Sequence, residues 1–186
     1  MESRQRGNPA GNTNQHVAAN MRAARQAIGM DLRTFAEQVK EAGRAMSASA
    51  LSKIENGDRR VDVDDLTVFA YILRTTPADL LTPPGDSPTP TGVPESRYSE
   101  EELRMWVNGR VKLTTEDVLR YWKEEWVNAT SYAKRFEHQL ALYDKGQVGI
   151  TPREVYEERL RIQQDRLDIA QSRIFELDPT ATPYPD

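Results

Sequence analysis

Met46-Ser-Ala-Ser-Ala-Leu51-Ser-Lys-Ile54-Glu-Asn56-Gly57 is the stretch on which the reading of this chain turns. Ser47 stands where an N-cap is needed, with a hydroxyl able to accept from an orphan N–H of the first turn. Leu51 and Ile54 are three apart and share one face, which leaves Ser49, Ser52, Lys53 and Asn56 on the other. Asn56-Gly57 is a strong stop, because both residue types tolerate the left-handed conformation that ends helices. A short helix over 47–56 is therefore predicted, apolar behind and polar in front.

The flanking sequence supplies neighbours for the apolar face. Val17, Met21, Ala24 and Ile28 are spaced four, three and four apart and predict one helix. Asp31 caps a second, with Phe35, Ala36 and Val39 as its stripe. Beyond the central stretch, residues 63–73 carry Val63, Leu66, Phe69, Ala70 and Leu73. Thr76-Pro77 then opens a short fifth helix ending in Leu80-Leu81. Five helices in about seventy residues suit an ordinary small domain.

The succession of Arg25, Gly29-Met30, Phe35-Ala36, Ser47, Leu51-Ser52-Lys53-Ile54-Glu55-Asn56-Gly57, Asp65-Leu66, Ala70, Leu73, Pro77 and Leu80-Leu81 resembles the Cro/C1-type (XRE) helix-turn-helix family. The resemblance covers residues 15–82. It implies a five-helix DNA-binding fold and regulation of transcription at a nearby operator, as in bacterial or phage repressors. It also implies that helix 47–56 enters the major groove. The sequence departs from the family at Leu32 and Ala48, where glutamines are usual. Its link of roughly residues 40–46 is also longer than the roughly 3–4-residue turn of such motifs. Glu41-Ala-Gly43-Arg44 in that link predicts that the second helix runs on until Gly43 stops it.

The contact inventory expected of that surface is short. Ala48 suits a thymine methyl, and Ser49 or Ser52 can bond to either kind of base edge. Ser47, Lys53 and Asn56 border the same face, while Arg44, Arg59 and Arg60 flank it and suit phosphates, which position without specifying sequence. The expected partner is an operator in double-stranded DNA. Charge agrees locally: residues 1–60 carry ten Lys/Arg and six Asp/Glu, a balance of +4, against −3 over 61–82 and −5 over 83–186. That asymmetry fits a DNA-binding front and an acidic, partner-binding rear.

Residues 1–14 are polar and rich in Asn and Gly and read as a disordered arm, with Arg4 and Arg6 able to reach a minor groove. Residues 83–97 hold five of the eleven prolines and read as an extended, semi-rigid spacer. A helical domain over 98–178 follows, then a tail, 179–186. Ser99 and Glu102 form a capping-box pattern ahead of Leu103, Trp106 and Val107. The second helix of that domain repeats Val118, Trp122, Trp126, Ala129, Ala133, Phe136, Leu140 and Tyr143, and Lys145-Gly146 ends it. After a short connection and Thr151-Pro152, a third repeats Tyr156, Leu160, Gln163, Leu167, Ala170, Ile174 and Leu177 at heptad spacing.

Two heptad helices on a short loop predict a coiled-coil-like antiparallel hairpin. The bulk of Trp122, Trp126 and Phe136 exceeds what one slim helix would cover. Those residues, with Leu160, Gln163 and Leu167, are therefore the expected homodimer interface. The competing arrangement is a three-helix bundle in which residues 99–108 cover the surplus.

No enzyme chemistry is expected. The chain lacks cysteine, its two histidines, His16 and His138, lie in different segments, and no phosphate-cradling glycine loop or nucleophile elbow appears. No cofactor or metal is expected, and a cytoplasmic location follows from the lack of a leader or long apolar run. The whole is an all-α chain read as a transcriptional regulator. The alternative is an adaptor or scaffold whose helix-turn-helix no longer reads DNA and whose helical rear binds a protein partner.

Overall fold

The structure is a computed structural model and describes residues 9–147 and 151–181. Those residues form eight α-helices and no strand: α1 (Asn12–Ala27), α2 (Leu32–Glu41), α3 (Ala48–Glu55), α4 (Val63–Ile72), α5 (Pro77–Leu81), α6 (Glu100–Val107), α7 (Thr115–Asp144) and α8 (Arg153–Leu177). Contacts divide the chain into two units, Met1–Arg110 and Val111–Asp186. No helix among the described residues is long and apolar enough to cross a membrane.

In the first unit, the stripes read from the sequence meet in one core. Met21 of α1, Phe35 and Val39 of α2, Leu51 and Ile54 of α3, Phe69 of α4 and Leu80 of α5 are all 1% exposed or less. The Phe35 and Phe69 rings pack with centroids 5.6 Å apart, tilted by 58°. Caps fix where the helices begin. Asp31, Ser47, Asp62 and Thr76 each accept from the backbone N–H three residues on. The second helix does run on to Glu41. Gly43 N–H then bonds Lys40 O, and Arg44 N–H bonds Val39 O, closing the helix with a Schellman motif.

Three expected segment boundaries differ in the structure. Of the arm expected over 1–14, residues 1–8 with Arg4 and Arg6 lie outside the described residues, and α1 already begins at Asn12. The prolines of the spacer expected over 83–97 are not all in solvent: Pro83 and Pro90 are buried. Finally, α6 falls in the first unit, so the division comes at residue 110 and not at 97. Residues 182–186 of the expected tail, and 148–150 of the expected loop, lie outside the described residues.

The spacer is held by α1. Gly11, the N-cap of α1, has no side chain to offer, and Thr91 takes over that duty from 78 residues away: its Oγ1 accepts from Thr13 N–H at 3.2 Å. The favour is returned, Thr91 N–H donating to Thr13 Oγ1 at 2.9 Å. A Cβ at residue 11 would lie 2.3 Å from Thr91 Oγ1, so this approach requires glycine there. Nearby, His16 is 1% exposed and its Nε2 donates to Pro88 O at 2.8 Å, which leaves Nδ1 unprotonated, buried and without a partner. Burial pushes this imidazole below its usual pKa, opposed by the bond to Pro88. Asn12 Nδ2 adds a bond to Thr89 O at 2.9 Å. Thr91→Ala is expected to lower the stability of the first unit by about 1 kcal/mol, the usual worth of a cap. Urea unfolding checks it; an unchanged midpoint would show that the cap contributes nothing.

In the second unit, Arg153 pairs with Asp144 at 3.2 Å, Arg159 lies over the Phe136 ring at 6.0 Å, and Arg166 pairs with Glu125 at 2.6 Å. One number rises as the other falls, so α7 and α8 run antiparallel. Val118, Trp122, Ala129, Ala133, Ala170 and Ile174 form the buried seam between them.

Candidate nucleic-acid interface

The face expected to read DNA is built on α3, and the helix is fixed from three sides. Behind it, Leu51 and Ile54 are fully buried. At its start, Ser47 Oγ accepts from Ala50 N–H at 3.1 Å, so that hydroxyl is committed to the backbone. At its end, Gly57 adopts φ +77°, with Gly57 N–H on Ile54 O at 2.9 Å and Asp58 N–H on Lys53 O at 2.8 Å. This is a second Schellman closure, at the Asn-Gly stop predicted from sequence.

A bidentate ion pair ties the last turn of α3 to α1. Arg25 Nε and Nη2 donate to the two oxygens of Glu55 at 2.7 and 2.9 Å, and Arg25 Nη1 donates to Met30 O at 2.6 Å. The Glu55 side chain is 2% exposed and that of Arg25 12%. The hydrogen bonds it donates to Glu55 raise the Arg25 guanidinium pKa, so the arginine stays charged at every working pH. Neither residue figured in the expected site. The signal was available: each charge sits beside a core position, Arg25 after Ala24 and Glu55 after Ile54.

Of the nine expected contact residues, the structure gathers most on this surface. Ser49, Lys53 and Asn56 are exposed, and Ala48 and Ser52 are half-buried. Among the described residues Lys53 meets no acidic partner. Asn56 Oδ1 accepts from Arg22 Nη2, which adds a cation of α1 that sequence reasoning missed. Arg59 and Arg60 are exposed in the following loop, where Arg60 Nη2 donates to Pro9 O at 2.9 Å.

Arg44 is different. Its guanidinium bonds Asp65 at 2.7 Å and Asp62 at 2.7 Å and lies 3.8 Å from Asp64. It clamps the approach to α3 onto the start of α4 and is not presented as a free cation. The Asp65 carboxylate is 4% exposed and needs a counter-charge. Asp62 serves two masters, and its pKa is held low first by the Asp65 backbone N–H and then by Arg44.

The expected dimer residues are all in the hairpin. Trp122 is 3% exposed, within the seam between α7 and α8, while Trp126, Phe136, Leu160, Gln163 and Leu167 are half-buried. Among the described residues no group of His, Cys, Asp or Glu is arranged to hold a metal ion. No protein-family model matches this chain, and no curated protein or solved structure does either.

Proposed function

We propose that the chain is a sequence-specific DNA-binding regulator of transcription, of the Cro/C1 helix-turn-helix type, working in the cytoplasm as a homodimer. The observation that carries this reading is α3 itself. Its back is locked in the core, both its ends are capped, and its outer row of Ser49, Lys53 and Asn56 is left to solvent beside Arg22 and Arg59. A rigid helix with a short polar outer row and flanking cations suits major-groove insertion. Lys53, Arg59 and Arg60 then meet phosphates, while Ser49 and Ser52 face base edges and Ala48 a thymine methyl.

Selection from a random duplex pool tests it, and a two-fold symmetric site is expected to enrich. Lys53→Ala is expected to weaken binding evenly across sequences and to lower the slope of log affinity against log salt by about one. Ser49→Ala is expected to relax the preference at one position. Absence of any enriched site overturns the reading.

One observation favours a second reading, an interaction scaffold. The Arg44 clamp withdraws a cation from the edge of α3 and sets the acidic start of α4 beside it. A scaffold predicts no enrichment and a protein partner that survives Lys53→Ala.

A further inference from the structure

The ion pair between Glu125 and Arg166 spans the hairpin and marks which residues share one of its sides. Tyr132 lies seven residues after Glu125, two turns along the same line of α7. Ile162 and Ile169 lie four before and three after Arg166, one turn to either side. These three are open to solvent: Tyr132 is 51% exposed, Ile162 44% and Ile169 56%. The heptad seam uses none of them. A second apolar row therefore runs along this hairpin, centred on its ion pair.

We propose that two copies of this chain pair through that side, Tyr132, Ile162 and Ile169 of one copy packing on those of the other. Charge singles out a second copy as the occupant. Glu125 and Arg166 neutralise each other within one hairpin, so the face carries no net charge from them. In a two-fold contact whose axis runs along the helices, α7 of one copy lies over α8 of the other, and each copy offers an arginine where the other offers a glutamate. A nucleic acid or acidic protein finds no such match on a unit whose net charge is −3 over residues 111–186, with eleven Lys/Arg against fourteen Asp/Glu.

Size agrees. The 25 residues of α8 span about 37 Å, and two helices side by side are about 20 Å wide, so one whole side of the hairpin offers a footprint of roughly 750 Å². A stable interface buries about 800 Å² per partner. The inference rests on the proposed pairing of two copies but not on DNA recognition, and it moves the contact off the Trp122 seam.

Sedimentation equilibrium of the full chain without DNA is the test, compared with Ile162→Glu/Ile169→Glu. The wild type is expected to be dimeric, and the double variant to dissociate about a hundredfold more readily, as loss of two interface anchors implies. Its helicity should match the wild type, since both side chains face solvent in a single copy. A second measurement does not depend on that variant. The chain has no cysteine, so Ile162→Cys is expected to join two copies through a short bis-maleimide. Lys134→Cys is expected not to, lying nine residues and about half a turn out of phase from Glu125. A wild-type dimer that survives the double variant intact, or that cross-links equally from both positions, overturns this face while leaving pairing standing. A monomeric wild type overturns both.

Discussion

Arg25→Met is expected to destabilise the first unit by about 3–5 kcal/mol, the range for removing one partner of a buried ion pair. The substitution keeps the length and much of the apolar stem while removing the charge. It leaves the Glu55 carboxylate, 2% exposed, with Arg22 at 3.6 Å, and the Arg22 side chain is itself 45% exposed. A solvated cation at that distance does not replace two short charge-assisted bonds. The loss also frees Met30 O, which now accepts from Arg25 Nη1. Urea unfolding followed by far-UV circular dichroism measures the change. The double variant Arg25→Met/Glu55→Met is expected to recover most of it, because an apolar pair of similar volume carries no desolvation cost. A single variant within 1 kcal/mol of wild type would show that the pair is ornamental.

Phe35→Ala is expected to cost a similar amount, about 3–5 kcal/mol, for a different reason. The ring is fully buried between α2 and α4 against Phe69, and its removal leaves a cavity that two capped helices cannot close. Set against a total stability of about 5–15 kcal/mol for a domain, this takes the first unit to the edge of folding. Calorimetry is expected to show its transition lowered by at least about 12 °C, at roughly 4 °C per kcal/mol. The α7–α8 hairpin shares none of this core, so its transition should stay in place. Movement of both together would mean that the two units unfold as one.

How much of this was readable beforehand depends on the range of the interaction involved. Helix ends were readable because caps are local: Ser47, Asn56-Gly57, Gly43 and Ser99 with Glu102 each act within a few residues. The core was readable from spacing, since Phe35 and Val39, Leu51 and Ile54, and Phe69 and Leu73 are each three or four residues apart. Arg44, expected beside phosphates, is held by aspartates 18 to 21 residues on, and composition cannot show such a pairing. The surplus bulk assigned to Trp122 is already buried within a single copy, the side chain being 3% exposed. The docking of residues 88–91 was the least readable of all. Proline marks where a helix cannot continue and is silent about what the extended chain will lie against.

That docking bears on the order in which the chain can assemble. Made from its amino end, α1 is complete by residue 27, yet the hydroxyl that finishes its first turn belongs to Thr91. During synthesis the helix waits with a frayed start while four more helices emerge and collapse onto Met21. Closing a loop of that length carries a large entropic penalty before any bond is made, so the early helices must already be packed when Thr91 arrives. The first turn of α1 is thus among the last parts of the first unit to become native.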